Sequence, residues 1–179
     1  MKRRTLLSLG LLASAAAIPF VGSRNNVAKA MKKELQLDSR PEKVEPFELD
    51  DVEWRMRLNE EAYYVLRKEG TERPFTSELN DEKRAGTYAC AGCNLALFDS
   101  DKKFDSGTGW PSFWQPIEEH INTKRDFKLV LPRTEYHCAR CGGHQGHVFK
   151  DGPPPTGLRY CNNGVALKFI PNDADEESA

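Results

Sequence analysis

Two cysteine pairs of identical spacing constrain this chain more than any other feature. Cys90-Ala91-Gly92-Cys93 and Cys138-Ala139-Arg140-Cys141 each separate two thiols by two residues, the spacing of a tight knuckle that aims two thiolates at one tetrahedral ion. The 44 residues between the pairs exceed an ordinary finger loop, so the fold itself must bring the knuckles together. Four such thiols predict one structural zinc ion per chain, held by Cys90, Cys93, Cys138 and Cys141. The competing reading is a pair of disulfides in an oxidising compartment; against it, a bridge closed within Cys-x-x-Cys is usually redox-active rather than structural. A four-thiolate zinc is locally anionic and calls for backbone N–H groups and basic neighbours such as Arg140. Gly92 and Gly142 are expected to supply the positive φ that a knuckle turn needs.

The rest of the 179-residue chain reads as one folded domain, with 39% hydrophobic and 30% charged residues and with 11 prolines and 13 glycines marking many turns. Its formal charge of −1 hides an asymmetry: the first 30 residues hold five basic side chains and no acidic ones, leaving 21 basic against 27 acidic, a net of −6, over residues 31–179. A body that acidic is not expected to grip nucleic acid. Residues 1–30 have the pattern of an export signal: Lys2-Arg3-Arg4, an uncharged apolar run from Thr5 to Gly22, then the small-x-small site Ala28-Lys29-Ala30. The paired arginines point to the twin-arginine route and to a periplasmic or envelope location. A retained membrane anchor is the competing reading, against which stand the short length and the proline of the apolar run.

Residues 31–49 are expected as a polar linker, 50–171 as the domain and 172–179 as an acidic tail. Asn59 followed by Glu60 and Glu61 predicts a helix over about 59–69, ended by Gly70. Short alternating runs predict strands at Thr87–Ala89, Leu95–Phe98, Phe127–Leu131, Tyr136–His137, His147–Phe149 and Ala166–Ile170. The fold class expected is mainly β, or α+β.

Cys161 is left over once four thiols are assigned to metal. By spacing alone it is either a buried small hydrophobe or a reactive thiol. Arg159, two residues before, can stabilise a thiolate, and Asn163 lies on the same strand face. His144 and His147 follow the second knuckle directly and suit general-acid and hydrogen-bonding roles, since the cysteines already satisfy a zinc ion. The segment Asp105-Ser106-Gly107-Thr108-Gly109-Trp110-Pro111-Ser112-Phe113-Trp114 is either a turn with its rings tucked into the core or an apolar box for a small methyl group.

Taken together, Cys90-x-x-Cys93, Asp105 to Phe113, Cys138-x-x-Cys141, Gly146-His147-Val148-Phe149-x-Asp151-Gly152-Pro153 and Arg159-Tyr160-Cys161-x-Asn163 resemble the B-type peptide methionine sulfoxide reductases over roughly residues 50–171. The resemblance implies two antiparallel sheets with a short N-terminal helical segment, zinc on the four cysteines, and reduction of the R epimer of methionine sulfoxide, free or in proteins. It assigns the nucleophile to Cys161, the polarisation and protonation of the sulfoxide oxygen to His144 and His147, and the orientation of these groups to Asn163 and Arg159. Trp110 and Phe149 would receive the substrate methyl, and Asp151 would lie in the same site. A thioredoxin-like or small-thiol reductant and a monomeric state go with this reading. Four positions depart from the pattern: Thr108 stands where many members have a resolving cysteine, Gly164 and Ala166 replace serines, and Gln145 replaces a common leucine, the last three bearing on local hydrogen bonding and groove polarity. A zinc-ribbon binding module and a thiol oxidoreductase working through a Cys-x-x-Cys are the rival classes. The first leaves Cys161 and the histidines unexplained, and the second requires the knuckle thiols to be free of metal.

Overall fold

The computed structural model describes residues 39–127 and 132–172. The export-signal segment, residues 31–38 of the expected linker, residues 128–131 of the expected strand Phe127–Leu131 and residues 173–179 of the acidic tail lie outside the described residues. Two helices come first, α1 (Asp51–Arg57) and α2 (Glu60–Lys68), then nine strands. These are β1 (Gly86–Cys90), β2 (Ala96–Asp99), β3 (Lys103–Phe104), β4 (Ser112–Phe113), β5 (Ile121–Asp126), β6 (Arg133–Cys138), β7 (His144–Phe149), β8 (Arg159–Asn162) and β9 (Leu167–Pro171). One sheet has the order β2-β1-β9 and the other β3-β4-β8-β7-β6-β5, all pairings antiparallel, in agreement with the mainly β expectation.

Helix α2 forms as the sequence indicates: Asn59 Oδ1 accepts from Ala62 N (2.8 Å), satisfying a donor of the first turn. Its left-handed terminal residue is Glu69 (φ 54°), not Gly70. Gly70 is needed for a different reason, because a Cβ there would lie 2.2 Å from the Tyr64 ring. Helix α1 is absent from the sequence expectations. It is short and mostly charged, and a reciprocal capping box between Asp50 and Glu53 starts it. Its buried Trp54 holds it down, with Arg67 over the indole at 4.7 Å.

Residues 39–49 differ from a free linker. Phe47 is 1% exposed, its N–H donates to Arg140 O (2.8 Å), and Ser39 O accepts from Ala96 N (2.8 Å), so burial of one aromatic anchors a segment that otherwise looks polar. Ahead of the expected strand Phe127–Leu131, pairing runs over Ile121–Asp126, and Phe127, the one described residue of that expectation, is exposed. As a sheet edge, β5 needs no apolar alternation, and its four central residues face solvent. The core between the sheets is aromatic, with Phe98 stacked on Phe113 at 4.1 Å and Tyr88 edge-on to Phe113 at 4.9 Å; each such ring contributes roughly 1.5–3 kcal/mol on burial.

Candidate active site

The two knuckles follow β1 and β6, and their four Sγ atoms lie within 4.8 Å of one another, all buried. Cys90 and Cys141 are 3.7 Å apart and Cys93 and Cys138 3.4 Å, close to the edge of about 3.8 Å that a tetrahedron with metal–sulfur bonds of about 2.3 Å requires. The donor set therefore fits a metal ion. Positive φ occurs at Asn94 (64°) and Gly142 (67°), each directly after the second cysteine of its knuckle. Gly92, expected in that role, does not share it. Three arginines donate to knuckle carbonyls: Arg57 to Gly92 O (2.5 Å), Arg67 to Cys141 O (2.9 Å) and Arg140 to Cys93 O (3.3 Å), while Gln145 Nε2 approaches Cys90 Sγ at 3.3 Å.

A second, separate centre forms where β4, β8 and β7 run side by side. Strand pairing sets Cys161 opposite Ser112 on one side and opposite His147 on the other. Gly146 permits this closeness, since a Cβ there would meet Cys161 O at 1.9 Å. A cavity of about 200 Å³ opens beside them, lined by Trp110, Arg133, His147, Phe149, Cys161 and Asn163 among others. The glycine-bent loop delivers Trp110, with Gly107 and Gly109 at φ 68° and 88°, and the indole Nε1 donates to Glu72 O (3.2 Å).

His144 and His147 are three residues apart, which in a regular strand would send them to opposite faces. The register slips by one residue of β7 between Tyr136↔Gly146 and His137↔His144, and this bulge brings the rings to 5.5 Å, edge to face. Each ring has a buried carboxylate: His144 Nδ1 donates to Glu135 Oε1 (2.9 Å) and His147 Nε2 to Asp126 Oδ2 (2.7 Å). Arg133 donates to the same Asp126 oxygen (2.7 Å). Burial pushes the His147 imidazole below its ordinary value, against the opposing pull of Asp126. His147 is thus neutral at pH 7 and borders the cavity, whereas His144 is packed behind it.

Burial pushes the Cys161 thiol upward, while the Arg159 guanidinium and the Thr108 hydroxyl favour the thiolate. Arg159 is aimed by a bidentate pair with Asp151 (2.9 and 2.8 Å) and lies over the Phe149 ring at 4.4 Å. Asp151, expected among the substrate contacts, is not among the residues lining the cavity; it pairs with Arg159, which holds its carboxyl below the usual carboxylate range. Asn163, expected to orient the histidines, donates to Gln145 O (2.9 Å) and accepts from Glu72 N (3.0 Å). Gln145 is fully buried; it contacts Asn162 and Cys90 rather than the groove, so its substitution for leucine leaves groove polarity unchanged.

Asp126, Glu135, Arg133 and Glu72 belong to this centre and were not singled out by the sequence. Asp126 and Glu135 carried a faint signal, as acids on two neighbouring strands, without any motif to mark them.

The SelR domain model matches residues 58–171. Peptide methionine sulfoxide reductase MsrB of Pseudomonas putida (strain W619) is 60% identical over 122 residues, covering 68% of this chain and 92% of the relative. The protein of that name from Bradyrhizobium diazoefficiens is 58% identical, covering 68% and 88%. Peptide methionine sulfoxide reductase B1, chloroplastic, of Arabidopsis thaliana is 53% identical over 129 residues, covering 72% and 64%. Every residue of the cavity and both knuckles fall inside the matched span, and with such identity over nearly the full length of bacterial relatives the chain belongs to the SelR-domain family of B-type peptide methionine sulfoxide reductases.

Proposed function

We propose that this protein reduces methionine sulfoxide to methionine, taking the R epimer, free or within oxidised proteins, with Cys161 as nucleophile. The observation that carries the proposal is the pairing of Cys161 with His147 across adjacent strands, beside a cavity walled by Trp110 and Phe149. The aromatic walls suit an S-methyl group, and the polar rim suits the sulfoxide oxygen.

With the thiol raised and the imidazole lowered, Cys161 and His147 share one titratable proton at neutral pH, and it resides on sulfur. As the Cys161 sulfur attacks the sulfoxide sulfur, that proton passes to the sulfoxide oxygen by way of the imidazole, which Asp126 holds in place. The S–O bond breaks, the oxygen ends on Cys161 as a sulfenic acid, and methionine leaves; the substrate sulfur gains the two electrons that the cysteine sulfur loses. The active form holds one proton on the pair. It is lost below the His147 pKa, where a second proton binds, and above the Cys161 pKa, where none remains. The kcat/KM profile should therefore keep a plateau whose acid limb lies below the ordinary imidazole range and whose alkaline limb lies above the ordinary thiol range. Arg159→Met should move the alkaline limb further up, because a cation that favours the thiolate is gone. An unmoved limb would remove Arg159 from this role.

Zinc is the ion we propose for Cys90, Cys93, Cys138 and Cys141; it supplies a structural crosslink between the ends of β1 and β6. An exported location is also proposed, on the basic, apolar and small-residue pattern of residues 1–30. With Thr108 in place of a resolving thiol, an external thioredoxin-like dithiol would attack the sulfenic acid, releasing water and forming a mixed disulfide that its second thiol resolves. Single turnover without reductant should yield one methionine per chain and one added oxygen on Cys161, trappable by dimedone, with metal retained. A disulfide from Cys161 to a knuckle cysteine, with metal release, would overturn the one-cysteine cycle, and equal consumption of both sulfoxide epimers would overturn the stereochemical assignment.

A further inference from the structure

Glu72 lies in the loop after α2 and has no part in the proton and sulfur chemistry above, yet it touches two residues of the cavity wall, Asn163 and Trp110, and the turn that follows Asn163. Its carboxylate accepts from the backbone N–H of Gly164 (2.5 Å) and Val165 (3.0 Å), its own N–H donates to Asn163 Oδ1 (3.0 Å), and its carbonyl accepts from Trp110 Nε1 (3.2 Å). Gly164–Ala166 is the 3₁₀ turn that follows the nucleophile strand. The first amides of such a turn have no internal partner and are ordinarily satisfied by the capping side chain. Here the capping residue, Asn163, makes no such bond; its amide is committed to Glu72 N and Gln145 O. A carboxylate from a loop some ninety residues earlier takes over the cap. Gly164 makes room for it: a Cβ there would meet Ser77 Oγ at 1.9 Å and Glu72 Oε1 at 3.3 Å, so the position that departs from the family's serine is one at which this packing requires glycine.

We propose that Glu72 is a positioning residue, whose carboxylate locks its loop onto the turn after β8 so that its carbonyl holds the Trp110 indole against the substrate cavity. Cys161 is fixed independently, by ladder pairing with β4 and β7. Loss of the carboxylate therefore loosens the methyl-binding wall while leaving the nucleophile in place. In Glu72→Gln the shape is retained, but the amide offers one acceptor oxygen where two N–H groups need one each, and its NH₂ faces a donor.

The kinetic part rests on the proposed reduction of methionine sulfoxide, so a second readout is independent of turnover. Protein labelled with 5-fluorotryptophan gives a ¹⁹F resonance for Trp110, assigned by its loss in Trp110→Phe. In Glu72→Gln we expect KM to rise about tenfold with kcat within about threefold of wild type, and the Trp110 resonance to shift or broaden while those of Trp54 and Trp114 stay put. A fall in kcat alone, in step with a lower folded fraction and with KM unchanged, would reduce Glu72 to a structural residue and overturn the proposal. So would an unmoved Trp110 resonance. If the wild-type protein turns over no sulfoxide at all, the functional reading fails, and the ¹⁹F comparison still decides the role of Glu72.

Discussion

Cys161→Ser is expected to lower methionine sulfoxide turnover by at least about a thousandfold, since a hydroxyl is a far weaker nucleophile than a thiol and cannot accept oxygen in a two-electron step. Metal content should stay at the wild-type value and stability within about 1 kcal/mol, because the substitution is nearly isosteric at a half-buried position. The prediction separates two sets of thiols that a count of cysteines merges: Cys161 pairs with β4 and β7, whereas the other four sulfurs converge on one another. Steady-state assays with thioredoxin and, separately, with dithiothreitol check it, alongside metal analysis of the same samples. Residual turnover above one part in a hundred would place the nucleophile elsewhere.

Cys141→Ser should act in the opposite manner. Removing one of four donors releases the metal, and the crosslink between the ends of β1 and β6 goes with it. Structural metal sites contribute folding free energy outright, and a loss of at least about 4 kcal/mol, or about 15 °C in Tm for a domain of this size, is the expected result. Gln145, which touches Cys90 and Asn162, and the three arginines on the knuckle carbonyls would lose their common anchor. Activity should fall with the folded fraction, leaving KM for the surviving protein near wild type. Calorimetry with and without a chelator gives the comparison. A metal-free variant that melts like wild type would show that the cluster does not hold a structural ion.

The residues that meet at the two centres were legible because their spacing has few meanings. Two Cys-x-x-Cys pairs, a histidine pair and a lone cysteine beside an arginine each restrict the chemistry before any fold is known. What escaped were residues whose importance lies in a distant partner. Asp126 sits in a strand so polar that no alternation marks it, and its value comes from His147, 21 residues on. Glu72 is one of many glutamates until the turn at Gly164 folds against it. Gly142 takes a left-handed position as expected and Gly92 does not, because the corresponding position of the first knuckle is filled by Asn94, a residue type that tolerates αL. The seven-residue α1 was hidden by its charges, since a single buried tryptophan, not a periodic apolar face, holds it in place.

The opposition of His147 and Cys161 across β7 and β8 is set by main-chain register, and under the proposed mechanism this makes the activity a digital readout of correct strand alignment. A slip of one residue in that ladder would turn every side chain of the slipped strand to the other face, separating acid from nucleophile altogether instead of weakening their contact. Gly146 helps to guard against such a slip, because it lets the two backbones approach so closely that no neighbouring residue of β7 with a side chain could take its place over Cys161 O. A misaligned chain would therefore be inert, and it could not linger as a half-working oxidoreductase with a stray reactive thiol beside an acid.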